Sequence, residues 1–373
     1  MSTTEQLVDD LNAVTTFETH PRVLRDVFFK GNPHLAYYRD HCLVPFLGGT
    51  FSKSIFRYAP HTVGAYGRGA EFDVSKRQTL GEMRFEPRFY FGNITEYMED
   101  VRVINRGDPK IIDLVDADFD GVMKSINTLV ALDINNHGQN VGTNRLISVN
   151  GILEALSDGV SQGIDGNTFT TYGNATRNTV YGAVLNSIPR YFGSGAAAGP
   201  VNYNTLEEMH ADCCFDGEEP DLIRGNLAVF TYMKQKIQLM QRITQERDPI
   251  WGATGFKFNS CMVLADRYFW SRRYGSSDPI LGSWLTAAQT ISGTPDPLSG
   301  LPASGTYDPY EALIMENTRG TELRITDDEL YGFGFTGFKP GVANTIVSGQ
   351  VLAELNMETR DARLSKQGFG ISS

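Results

Sequence analysis

The sequence predicts an α+β chain: a strand- and loop-rich body with few helices, crossed by one long helix and carrying one long two-stranded ribbon. Three observations carry this. Pro109 to Asn136 writes an amphipathic helix longer than a small domain is wide. Phe51 to Asn105 alternates aromatic and charged residues around Gly64, Gly67, Gly69, Gly81 and Gly92, without an apolar face broad enough to bury itself. The 38 glycines among 373 residues fall mainly in that ribbon and between Gly138 and Gly199, where they multiply chain reversals.

Residues 1–50 read as an arm, with a short helix, a second at Pro21–Phe29, then a loop holding Pro33, Pro45 and Gly48–Gly49. In the ribbon, Arg84 to Ile94 is strand-like, and Pro87 marks an edge or bulge because it cannot donate to a ladder. The long helix has Asp108 at its N-cap, Pro109 at its first position and Gly138 beyond its end. Ile111, Val115, Phe119, Val122, Ile126 and Leu129 fall within about 80° of arc at 100° per residue. At 1.5 Å per residue the helix is roughly 42 Å long, a spine with one narrow apolar stripe.

Asn150 to Leu156 is a short helical patch, and Gly159–Gly199 shows no strong period. Thr205-Leu206-Glu207-Glu208 matches a capping box opening a helix that ends near Ala211. Pro220–Ile223 reads as a buried strand, Leu227–Thr244 as a helix, Cys261–Ala265 as a strand and Gly275–Tyr310 as an exposed loop. Leu323–Ile325, Leu330–Phe338 and Ile346–Leu355 read as closing strands.

A net charge of −11 argues against a dedicated nucleic-acid binder. Its distribution is uneven. Between Phe51 and Tyr90, Lys53, Arg57, Arg68, Lys76, Arg77, Arg84 and Arg88 outnumber Glu71, Asp73, Glu82 and Glu86. From Gly107 to Gly138, Lys110 and Lys124 face six aspartates, Asp113, Asp116 and Asp120 among them. A two-stranded ribbon alone in water is marginal, so it needs a surface to lie on, and another copy of the chain is the simplest one. Opposite charge on ribbon and helix makes Arg68, Lys76, Arg77, Arg84 and Arg88 candidate contacts for Asp113, Asp116 and Asp120.

Four cysteines, two of them adjacent, make no disulfide framework and point to reduced thiols and a cytoplasmic origin. No apolar run reaches the roughly 18 residues that span a bilayer, and the N-terminus has no signal-peptide pattern. Catalytic patterns are thin. Gly159-Val160-Ser161-Gln162-Gly163 matches the nucleophile-elbow spacing but lacks a preceding strand. His210, Asp212, Cys213 and Cys214 crowd potential ligands with no second pair, and Asp327-Asp328-Glu329 sits between strand-like runs as a solvated turn would. A metal-dependent hydrolase using His210, Asp212 and the Asp327–Glu329 cluster is the enzymatic alternative, and a strand-rich, oligomeric tail or adhesion protein is the structural one. No catalytic residue, cofactor or metal is expected.

The order of arm, basic hairpin, long helix, glycine-rich region, helix–strand–helix lobe and closing strands resembles the major capsid proteins of tailed bacteriophages, the Hong Kong 97-type shell fold. The resemblance spans roughly residues 50 to 360. Thr79 to Thr95 is similar to the returning strand of the family's extended loop, and Ile111-Ile112-Asp113-Leu114 to the opening of its spine helix. Asn150 to Leu156, Tyr172 to Arg177 and Pro220 to Ile223 also match its usual phrases. The tail departs, with Asn356-Met357-Glu358-Thr359-Arg360 where relatives often have Asn-Pro-Arg.

The resemblance implies an N-terminal arm at 1–50, an extended loop at 51–105, and a peripheral domain at 106–200 with its spine helix at 109–137. An axial domain at 201–325 follows, then return strands and a tail at 326–373. It further implies hexamers and pentamers of one chain forming an icosahedral shell around double-stranded DNA in a virion assembled in a bacterial cytoplasm. The extended loop would lie over a neighbour's peripheral domain. Scaffolding, portal and decoration proteins are the implied partners. The absence of a long charged prefix favours a separate scaffold. DNA would be enclosed without sequence-specific binding, and no membrane is involved. Some members cross-link their loops. Lys76 could do so here only if an asparagine and a carboxylate met it from neighbours.

Overall fold

A computed structural model describes residues 32–46, 48–97, 108–138, 148–161, 163–164, 168–177, 180–193, 198–238, 245–247, 254–266, 268–269, 289–292, 304–307, 311–326, 333–340 and 346–372; 108–117, 237–238, 245–247, 254, 289–292, 304–307, 333 and 340 are described by backbone alone. In chain order come helix α1 (Pro33–His41), strands β1 (Leu43–Phe46), β2 (Ser52–Arg57), β3 (Leu80–Phe85) and β4 (Arg88–Tyr97), the long helix α2 (Asp108–Ile134) and the single turn α3 (Ile152–Ala155). Next are β5 (Thr171–Tyr172), β6 (Ala175–Thr176), the turn α4 (Gly182–Leu185), β7 (Arg190–Tyr191), β8 (Gly199–Pro200) and helix α5 (Tyr203–Cys213). β9 (Leu222–Gly225), helix α6 (Leu227–Gln238), β10 (Gln245–Arg247), β11 (Thr254–Phe258), β12 (Cys261–Ala265), β13 (Gln289–Ser292) and β14 (Ser304–Tyr307) follow. The chain closes with β15 (Glu311–Glu316), β16 (Thr321–Thr326), β17 (Phe333–Phe335), β18 (Lys339–Pro340), β19 (Ile346–Thr359) and β20 (Lys366–Ser372).

Two sheets organise these elements. In the first, β19 is the axis: β16, β17, β18 and β4 all pair with it antiparallel, and β1 joins β16 in parallel. Leu355 pairs with both Ile325 and Arg88, and Ala353 with both Phe333 and Tyr90. A strand has only two edges, so β4 lies on the side of β19 opposite β16 and β17, as an edge strand among the described residues. The second sheet runs β10-β11-β12-β9-β15-β20-β7, with β8 also on β20. β20, at the far end of the sequence, thus sits beside β15 in the sheet that holds β9 and β12.

α2 lies across β4 because Gly92 has no side chain. A Cβ there would come within 2.3 Å of Val122. The helix buries Phe119, Met123, Ile126, Val130 and Ile134, a stripe rotated about 60° from the predicted one at 100° per residue. Met123 and Val130 take the core positions expected of Val122 and Leu129. Ile111 and Val115 have side chains outside the described residues.

α1 corrects the expected loop. Asn32 is its N-cap, accepting from the His34 amide at 3.0 Å, and Pro33 opens the first turn. Leu35 and Tyr38 are wholly buried, and β1 follows at once, Pro45 included. α5 is capped by Asn202 rather than Thr205. The expected helix at Pro21–Phe29, the 239–244 end of the Leu227–Thr244 helix and most of Gly275–Tyr310 lie outside the described residues, although β13 and β14 pair within the last.

One buried polar cluster joins five elements. Arg224 of β9 holds Glu316 of β15 at 3.3 Å and donates to Asn135 at 2.7 Å, just beyond α2. It also donates to His34 Nε2 of α1. His34 Nδ1 lies 3.3 Å from Asp266, which follows β12 and also accepts from Asn135 at 2.8 Å. Tyr38 donates to Glu316 at 2.6 Å. Burial and the Arg224 charge push the His34 pKa down to about 4, so the ring is neutral. Burial would raise Asp266, but hydrogen bonds from His34 and Asn135 hold it below the usual range.

Candidate assembly surfaces

The ribbon has a seated root. β2 and β3 pair from Ser52↔Phe85 to Arg57↔Leu80. Strict alternation turns Ser52, Ser54, Phe56, Gly81, Met83 and Phe85 inward, and Lys53, Ile55, Arg57, Leu80, Glu82 and Arg84 outward. Phe85 packs edge-on against Tyr172 at 5.1 Å, and Phe56 and Tyr58 against Tyr181 at 5.4 and 5.0 Å. The Arg84 amide donates to the Gly173 carbonyl at 2.8 Å, at the β5–β6 turn.

Ser52 and Ser54 are the polar residues of the inward face of β2, and both donate to Glu358, a fully buried carboxylate of β19; the Ser54 bond is 2.7 Å. Arg324 Nε, 2.6 Å away, supplies the countercharge that a buried carboxylate requires. Sequence reasoning missed this clamp. Two serines at inward positions of an alternating strand were the available signal.

The tip is the opposite. From Val63 to Gln78 every residue is exposed, Val63 and Val74 by 86% and 91%. Tyr66 and Phe72 touch only each other in the aromatic contacts of the tip, at 4.8 Å. Beyond Tyr58–Thr79, backbone bonds to backbone only across the Gly67–Ala70 turn at 3.0 Å, and the Ser75 amide donates to Asp73 at 3.0 Å. The five candidate cations divide. Arg84 pairs with Glu82, Arg77 with Asp73 at 3.9 Å, and Arg88 with Glu86 at 3.9 Å. Arg68 and Lys76 have no ion-pair partner among the described residues.

On α2, Asp120 is exposed and holds Lys124 at 3.2 Å. Asp133, counted with the acidic surface, is buried and accepts from Tyr90 at 3.0 Å. Asp113 and Asp116 lie on the helix with side chains outside the described residues. Between α2 and β4 runs an open groove of about 610 Å³, floored by Gly92, Val122 and Ile126 and bordered by Phe91, Asp118, Gly121, Ser125 and Leu129. Phe91 and Leu129 are 68% and 37% exposed. Val122 and Leu129, assigned by sequence to the core, therefore border an unfilled groove.

The residues singled out for catalysis disperse. Ser161 follows a helical turn, and its amide donates to Asp158 at 2.6 Å. His210 meets Ser260 at 3.1 Å, whereas Asp212 accepts from Lys366 at 2.6 Å. Asp327, Asp328 and Glu329 lie outside the described residues. Among the described residues no group of three or more His, Cys, Asp and Glu side chains could hold a metal, and no helix is long and apolar enough to cross a membrane. All four cysteines are free, and Cys214 alone is exposed.

The ribbon, the spine helix and the two sheets together are the Hong Kong 97-type shell fold. No protein-family model and no curated protein matches the chain, but solved structures do. The capsid of cyanophage A-1(L) superposes with a TM-score of 0.56 at 11% identity, over 89% of this chain and 91% of that one. The SrpI encapsulin from Synechococcus elongatus PCC 7942 gives 0.51 at 6% identity, over 91% and 88%. The capsid of the native GTA particle gives 0.50 at 9% identity, over 90% of each chain.

Proposed function

We propose that this chain is a structural, non-enzymatic shell subunit: a major capsid protein that assembles into hexamers and pentamers of itself around double-stranded DNA. The observation that carries the proposal is the ribbon tip, solvent-exposed from Val63 to Gln78 with four large apolar side chains bare. A soluble monomer gains nothing from such a surface, and a second copy can cover it. Arg68, Lys76 and Arg77 at the tip, with Arg84 and Arg88 nearer the root, would face Asp113, Asp116 and Asp120 of a neighbour. Scaffolding, portal and decoration proteins would be the further partners, in a virion assembled in a bacterial cytoplasm. The acidic balance suits a wall that encloses DNA without gripping it.

Negative-stain microscopy of the expressed protein tests the reading; closed, uniform particles support it, and a monomer at high concentration overturns it. Reversing Arg68, Lys76 and Arg77 to glutamate should abolish particles while leaving the circular dichroism of the subunit unchanged. A shell that closes without nucleic acid is the second reading. The nucleic-acid absorbance of particles purified from the native source separates the two.

A further inference from the structure

We infer that His210 and Cys214 are one half of a site for a soft divalent cation of the zinc class, completed by the same pair from a second copy. The inference goes beyond the shell-subunit reading, since it needs only that two copies meet. The pair closes α5: His210 stands in its last turn and Cys214 is its C-cap. A spacing of four residues puts both side chains on one side of the helix end, and the structure brings Cys214 Sγ to 3.6 Å from His210 Nδ1. Metal–sulfur and metal–nitrogen bonds of about 2.3 and 2.0–2.1 Å at a tetrahedral angle span roughly 3.5 Å. The two atoms therefore stand at the bite of one cation, which would take the place of the thiol proton.

The imidazole is set for this. Ser260, in the turn between β11 and β12, donates its hydroxyl to the Pro220 carbonyl at 2.9 Å. Its oxygen then accepts from His210 Nε2, 3.1 Å away. In the neutral ring the proton is thus on Nε2, and the Nδ1 lone pair faces the sulfur. A hydrogen bond at the far nitrogen is what orients a metal-ligating histidine.

The same sulfur could instead be a nucleophile with Nδ1 as its base, but the local field decides against it. Burial and the Glu219 carboxylate push the Cys214 thiol up from its ordinary value, and α5 ends here at the negative pole of its dipole. Such surroundings disfavour a free thiolate and favour a cation. A thiolate with an imidazole selects zinc over magnesium or calcium.

One chain leaves the site incomplete. Cys213 and Cys261 are wholly buried, and Cys261 donates to the Pro220 carbonyl at 3.2 Å. Among the described residues no third His, Cys, Asp or Glu side chain joins the pair in a group that could hold a metal. Structural zinc takes four ligands, so one copy is two short and two copies across a two-fold axis are complete. Cys214 is open to solvent, and Phe215 beside it is 44% exposed, an apolar surface for the facing copy.

Cobalt(II), a coloured stand-in for zinc, tests the assignment on the full chain in a reducing, chelator-free buffer. Titration should raise a thiolate-to-cobalt charge-transfer band that saturates at one cobalt per two chains, and zinc should bleach it. Each bridge forms two S–Co bonds, breaks two S–H bonds and releases both protons to solvent. Cys214→Ser should lose the band although Cys42, Cys213 and Cys261 remain. His210→Gln and Ser260→Ala should each weaken cobalt binding about tenfold or more, with the circular dichroism of the chain unchanged. No band in the wild type, or a band that survives Cys214→Ser, would overturn the site. Saturation at one cobalt per chain would overturn the bridge, and full affinity in Ser260→Ala would overturn the assigned role of the imidazole.

Discussion

The root and the tip of the ribbon are written in the same vocabulary, aromatic residues, cations and small residues in alternation, yet the root buries every second side chain and the tip from Val63 to Gln78 buries none. The difference lies in what stands beneath. Under the root are Tyr172, Tyr181 and the Glu358 carboxylate; the tip has no comparable platform within the described chain. Alternation gives a strand two faces but no address. The contrast teaches that the stability of the subunit and its capacity to join copies reside in different stretches of one hairpin, so mutations can separate them.

The largest expected separation comes from matched aromatic truncations. Phe85→Ala at the root should lower unfolding stability by about 3–5 kcal/mol, and Phe72→Ala at the tip by less than about 0.5 kcal/mol. Urea denaturation of both variants measures this; equal losses would erase the contrast.

Next in size is an acid effect at a well-seated site, the His34 cluster. His34 falls from 6.5 to about 4 on folding, so between those values the unfolded chain binds the extra proton. Stability therefore is full above about 6.5 and declines as pH falls toward 4, by on the order of 3 kcal/mol. A proton on Nε2 would face the Arg224 guanidinium. Glu316, raised by burial against the pull of Arg224, works in the opposite sense, so the measurement is the difference between wild type and His34→Gln. A variant with the same pH slope as wild type would exclude His34 as its source.

Glu358→Gln should cost about 1–3 kcal/mol by leaving part of the Arg324 charge uncompensated. Hydrogen exchange should then quicken at 52–57 and 80–85 and stay unchanged at 63–78. The smallest effect is at Arg84, whose partner Glu82 is exposed. Arg84→Ala should change stability by no more than about 0.5 kcal/mol, read from the same denaturation curves.

Much of this architecture is legible in order of residues. The span of the long helix, β12 at Cys261–Ala265 and the position of the break at Pro87 follow from local signals: a proline at the first turn, an apolar run between polar turns, a missing amide donor. α1 escaped because Pro33 and Pro45 resemble loop punctuation, although Asn32-Pro33 is equally a helix start. The candidate site was half legible. Charge counting identified the ribbon and helix, but it included Asp133, which is buried against Tyr90, and could not know that Arg84 would be spent on Glu82.

The sequence by itself determined the span of the long helix, the strand at Cys261–Ala265, that the ribbon lacks a core of its own, and the α+β class, because these depend on propensity and period within a few residues. The tertiary structure decided which face of α2 is covered, where β20 inserts and that Val122 and Leu129 border a groove. Those outcomes depend on neighbours remote along the chain: Gly92 admits the helix to β4, β15 receives β20, and Glu358 reaches back to Ser52 and Ser54 from the far end of the sequence.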